Sequence, residues 1–214
     1  MDDEITTIET KTTNEKIVSF FLKNKKKIIS ILLLLTLIIG SFYSYQIYEN
    51  RKKEQLAKKY NNSVIEFENG NKSKIILLMK EIVREKNNTY SPLALYFLID
   101  NNLIKNKDEI NILFNVLIEE TNLKKEIRNL IIYKKGLYNS NFISENELIK
   151  ILNPIINSES IWKSHSLYLI AEYFYSKNEK QKAKEFFNKI LILSNSNNDI
   201  KLESQKRLNR DFSE

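Results

Sequence analysis

The chain has 214 residues, 42% of them hydrophobic, with 34 Lys and Arg against 27 Asp and Glu. Three glycines and two prolines are too few for the turns that sheets, hairpins and phosphate loops consume, so composition predicts helix. The absence of cysteine and the single histidine exclude a disulfide frame, a thiolate or multi-histidine metal centre, an iron–sulfur cluster and a thiol nucleophile. No enzyme is expected, and no catalytic, metal or cofactor site. The net charge of +7 is carried mostly by lysines interspersed with acids, which makes no block suited to nucleic-acid phosphates, so no nucleic acid is expected as a partner.

Residues 1–27 form a short polar tail that mixes Asp2, Asp3, Glu4, Glu9 and Glu15 with lysines, and its Thr-rich start predicts no fixed structure. From Ile28 to Tyr48 the chain reads IISILLLLTLIIGSFYSYQIY without a charge. At about 1.5 Å per residue this segment crosses a hydrocarbon core of about 30 Å, which predicts a transmembrane helix over 28–48 in contact with membrane lipid. Lys23, Lys25, Lys26 and Lys27 abut one end, and Tyr43, Tyr45 and Tyr48 lie at the other, where amphipathic rings favour the headgroup level. A cleaved signal peptide competes, because Ile28 to Ile39 has the length of a signal core. The residues ahead of it make an overlong leader, however, and no small-x-small site follows cleanly. Lys and Arg are nearly balanced on the two sides, so charge alone does not orient the helix.

Beyond Glu49, polar turn signals at Asn69-Gly70-Asn71, Lys105-Asn106-Lys107, Asn139-Ser140-Asn141 and Lys177-Asn178-Glu179 recur about every 36 residues. Apolar residues run between them at helical spacing: Ile75, Leu78, Met79 and Ile82; Leu93, Tyr96 and Phe97; Ile110, Leu113, Phe114 and Leu117; Ile127, Leu130 and Ile131; Leu148, Ile151, Leu152 and Ile155. Two helices fit each period. Such a pair cannot bury its apolar face alone, so residues 49–214 are expected to stack pairs into a right-handed solenoid. The second unit needs one extra helical turn, and Pro154 is expected to interrupt a helix. The unit Ser164 to Asn197 is the most regular. Leu167, Ile170, Ala171 and Phe174 share one helix, and Ala183, Phe187, Ile190 and Leu191 the next.

That unit resembles the tetratricopeptide repeat, with Ala171 and Ala183 standing where the repeat lets its helices approach closely. The fold class read from the sequence is therefore all-α: an N-terminal transmembrane helix followed by a tetratricopeptide-like helical-repeat solenoid. The whole layout also resembles the ancillary SecYEG translocon subunits, through SFYSYQIYENRKKEQLAKKY after the apolar core, NNTYSPLALYFLIDNNLI at the centre, and IWKSHSLYLIAEYFYSKNEKQKAKEFFNKIL near the end. The resemblance implies a bacterial inner-membrane protein with a cytoplasmic tail and a periplasmic helical domain. It would work beside the Sec translocon and assist exported chains or periplasmic chaperones through protein–protein contacts. A second reading is a structural scaffold for an envelope or cell-division complex, without contact to exported chains.

In repeats of this kind the inner surface comes from the first helix of each pair, which selects His165, Tyr168, Glu172 and Tyr175 as a candidate protein-binding groove. Their spacing of three, four and three makes one stripe, and tyrosine supplies contact area at low entropic cost. The competing reading has the stripe packed within the chain, with Leu202 to Phe212 folding back to close it. Trp162, ahead of the same helix, reads as packing between consecutive repeats or as a binding anchor. His165 lacks a second ligand or a nucleophile, and Glu119-Glu120 reads as a solvated helix end.

Overall fold

The computed structural model describes residues 15–68 and 70–212. Asn69 of the first expected turn and the Thr-rich start of the tail lie outside the described residues. Every regular element among the described residues is helical. The chain divides between Gln55 and Leu56 into two units.

In the first unit, residues 15–23 form helix α1 and Asn24 breaks it. The 42-residue helix α2, Lys25–Glu66, follows. Helix therefore begins well inside the segment expected as tail, and it does not stop at Tyr48. The apolar residues from Ile29 to Tyr48 are exposed, and α2 is the one helix among the described residues long and apolar enough to cross a membrane.

The second unit starts at Leu56, inside the segment expected from residue 49 onward. It holds the end of α2 and helices α3 (Lys72–Arg84), α4 (Tyr90–Asp100), α5 (Lys107–Asn115), α6 (Lys125–Asn139), α7 (Glu145–Ile156), α8 (Lys163–Ser176), α9 (Lys180–Ile192) and α10 (Asn198–Asp211). The described parts of all four turn signals fall at helix boundaries, with two helices in each interval. The extra turn anticipated in the second unit is a π turn, Val116–Glu120, which continues α5 and buries Leu117. Glu119 and Glu120 sit on it, exposed, and Glu120 pairs with Lys86 at 2.6 Å.

Asparagine substitutes for the missing glycines. Asn102 and Asn178 take φ of 52° and 60°, left-handed values that close α4 and α8. The Leu103 N–H then reaches the Leu98 carbonyl and the Glu179 N–H the Phe174 carbonyl, each at 2.9 Å, so carbonyls that helix ends leave unpaired are satisfied. Asn71, Asn106 and Asn197 accept backbone N–H bonds at the starts of α3, α5 and α10, and Ser144 with Glu147 makes a capping box on α7.

Helices α3 to α10 each pack on a chain neighbour, and α6 and α10 both also meet α8. The buried side chains form two clusters. One draws on α3 to α5, the π turn and Ile131 of α6, and the other on Ile132 of α6 and α7 to α9. Cross-links recur near the expected period: Ser160 donates to Glu126, 34 residues away, the Asn197 N–H to Ser164, 33 away, and Lys182 to Glu145, 37 away.

Some expected faces are corrected. On α4 the buried residues are Ser91, Pro92, Ala94, Leu95 and Leu98, whereas Leu93 is exposed, because YSPLALYFLI is apolar on every side and spacing selects no face. On α6, Ile127 is exposed, and Asn129, Ile131, Ile132, Gly136 and Asn139 are buried. Asn139 and Asn111 exchange reciprocal side-chain bonds of 2.8 and 2.9 Å, which repay the burial of one amide. Pro154 does not interrupt α7: it stands in the last turn, where its missing N–H costs one bond and the helix ends at Ile156.

Close approach explains two small residues. Ala183 is fully buried between α8 and α9, and a Cβ on Gly136 would lie 2.7 Å from Leu152 Cδ2. Ala183→Leu and Gly136→Leu are each expected to cost about 1–3 kcal/mol by overpacking. Thermal melts of the Glu49–Glu214 fragment check this, with both variants melting below the parent and both remaining helical by circular dichroism.

Candidate functional site

Helix α8 carries the stripe, and its other face is held by the core. Leu167, Ile170, Ala171 and Phe174 are buried, which fixes the directions of His165, Tyr168, Glu172 and Tyr175. The structure splits these four into two settings.

His165 is half-buried beside α6. Its ring lies 5.1 Å from Trp162 and 6.0 Å from Tyr133, and Tyr133 stacks on Trp162 at 5.8 Å with 20° between the planes. Trp162, at the N-terminal end of α8, thus bridges to the preceding helix pair. Burial holds the His165 pKa below its ordinary 6.5, opposed by the Ile161 carbonyl. Next to this cluster, Lys134 sits 4.2 Å over the Tyr96 ring of α4. Burial, helped by Asp100, pushes the Tyr96 phenol up.

The other three residues lie under α10. The Tyr168 ring packs 5.5 Å from Phe187, and burial followed by the Glu172 charge pushes its phenol up to about 12. Glu172 accepts two 2.7 Å bonds from Arg207, through Nε and a terminal nitrogen. The same guanidinium bonds Asp211 at 2.6 Å and lies 4.2 Å over the Tyr175 ring, which also meets Phe212 at 5.8 Å. A bidentate, ring-stacked arginine is a stiff fastening. The arrangement present is thus the one in which Leu202 to Phe212 closes the stripe.

Sequence reasoning singled out the segment that closes the stripe without naming Arg207 or Tyr133. Arg207 stands 35 residues after Glu172, close to the repeat spacing, and that separation is the signal that marks it. Among the described residues no group of His, Asp and Glu could hold a metal ion. Chemically, the site offers aromatic faces, one arginine and two carboxylates, Glu172 and Asp211, that the arginine already pairs. In comparisons with known proteins, no family model, no curated protein and no solved structure matches the chain.

Two expectations follow. Because the folded pKa of His165 is depressed, the unfolded chain binds its proton more readily. Stability therefore falls as pH drops through about 6.5 and is unaffected by this group well above it. With one histidine in the chain the effect is assignable, and His165→Gln is expected to flatten the slope of urea-unfolding free energy between about pH 7 and 5. Arg207→Ala is expected to loosen α10 by about 1 kcal/mol, since Glu172 is partly exposed. Amide exchange over 198–211 then quickens several-fold while α6 and α7 keep their protection.

Proposed function

We propose that this protein is a membrane-anchored helical-repeat interaction protein that works beside the Sec translocon and assists exported proteins or periplasmic chaperones through protein–protein contacts. Residues 28–48 cross the bacterial inner membrane in this reading, residues 1–27 stay in the cytoplasm, and the helical domain is periplasmic. The observation that carries it is an apolar stretch of α2 that the described residues leave uncovered, in the same chain as helices that pack successively on one another. A helix of that composition in a water-soluble core would be mostly buried. The cross-links 33 to 37 residues apart support a tetratricopeptide-like repeat. The place beside the translocon rests on the likeness of layout described above. Binding without chemistry fits a domain whose candidate face is built of Tyr, Trp, His and Glu.

The coverage of Tyr168, Glu172 and Tyr175 by α10 favours the second reading, a structural scaffold for an envelope or cell-division complex, because a closed stripe offers an extended chain no path. One measurement tests the topology and a second decides between the two readings. Protease added to the outer face of spheroplasts is expected to remove the helical domain and spare the tail, and digestion of the tail instead would invert the topology. Copurification in mild detergent is expected to bring translocon subunits, whereas recovery of envelope or division components alone would support the scaffold.

A further inference from the structure

The segment just before the apolar stretch has chemistry that anchoring alone does not use. Between Lys16 and Tyr48 there is no acidic residue, and Lys16, Lys23, Lys25, Lys26 and Lys27 supply five positive charges. Their placement on the helices is ordered. Lys16, Ser19 and Lys23 recur at spacings of three and four along one stripe of α1, and Lys26, Lys27 and Ser30 carry similar spacing into α2. Ile17, Val18 and Phe21 occupy the opposite side of α1, and Phe20 borders the lysine stripe, one turn from both Lys16 and Lys23. All four are exposed, and the Phe20 and Phe21 rings meet edge to face at 6.2 Å. At the junction, the Phe20 carbonyl accepts from both the backbone N–H and the side-chain amide of Asn24, each at 3.0 Å. Such side-chain competition for a helix carbonyl marks a point where a helix bends readily.

We propose that residues 16–27 recognise anionic phospholipid. Lysine ammonium groups pair with headgroup phosphates while Ile17, Val18 and Phe21 settle at the acyl–headgroup boundary. A short helix with one basic and one apolar face is built for that interface, and lysines beside a membrane segment are drawn to an anionic leaflet. Continuity selects the occupant: the charge-free stretch starts at Ile28, one residue after the last lysine, so whatever holds that stretch in a bilayer brings the lysines to headgroup level. The proposal rests on the reading that α2 enters the bilayer, and its test separates the two.

The chain has no cysteine, so single cysteines at Ser19→Cys, Phe21→Cys and Leu34→Cys each carry one environment-sensitive fluorophore on the full-length protein. The labelled proteins are reconstituted into nanodiscs of phosphatidylcholine alone or with about one-third phosphatidylglycerol, and quenched with neutral acrylamide. In the anionic discs the label at Phe21→Cys is expected to be quenched about threefold less than that at Ser19→Cys. The difference should shrink in phosphatidylcholine discs, at about 0.5 M salt, and when Lys16→Gln and Lys23→Gln are added. Equal quenching at the two positions in anionic discs overturns the proposal. So does protection that ignores both lipid charge and salt, since burial would then be apolar alone. The Leu34→Cys label reports α2 separately: if it is quenched freely, the spanning reading fails, whatever the α1 labels show.

Discussion

Neighbour-dependent burial is the constraint on which the helical domain rests. None of its helices has a face that is satisfied alone: α8 hides Leu167, Ile170 and Phe174 only because α7 and α9 lie against it, and α9 hides Phe187 only between α8 and α10. Helix α6 contributes Ile131 to one cluster and Ile132 to the other, so the two clusters meet across its own backbone. Side chains at such junctions have to be small or paired. Gly136 stands against Leu152, and Asn139 spends its amide on Asn111. With so few glycines, the left-handed closures of α4 and α8 use asparagine, which tolerates αL better than most side chains with a Cβ, and that of α3 uses Lys86.

Much of this was legible in the sequence where periodicity was clean. The apolar stripes of α3, α5, α7, α8 and α9 are the buried ones, as with Ile75, Met79 and Ile82 or Leu148, Leu152 and Ile155. Legibility failed where pattern carries no direction. YSPLALYFLI has no polar side, so its buried face is chosen by α3 and α5 rather than by spacing. Asn139 reads as a turn residue, and only tertiary context puts it in the core, satisfied by a partner 28 residues away. The helix over 15–23 was hidden for a similar reason: residues 17–22 read IVSFFL, a nearly continuous apolar run whose spacing declares no face before helix is assumed.

The candidate groove shows how far a stripe can be trusted. Spacing alone placed His165, Tyr168, Glu172 and Tyr175 on one side of α8, but the occupant of that side is decided by residues much farther along the chain. Arg207 meets carboxylate and ring at once, a geometry that lysine would not reproduce. What stays beside α6 is an aromatic corner of Tyr133, Trp162 and His165, ringed by partly exposed surface. Tyrosine and tryptophan in such a setting supply contact area with few rotors to freeze.

The central proposal, an anchored domain that meets the export machinery, is tested most directly by photo-crosslinking in living cells. A photoreactive residue is placed at Thr36 within the apolar stretch or at Ile161 beside the aromatic corner, and the adducts are identified by mass spectrometry. The account predicts translocon subunits bound at Thr36 and exported chains or their chaperones bound at Ile161. Adducts confined to envelope or division components at both positions would contradict it.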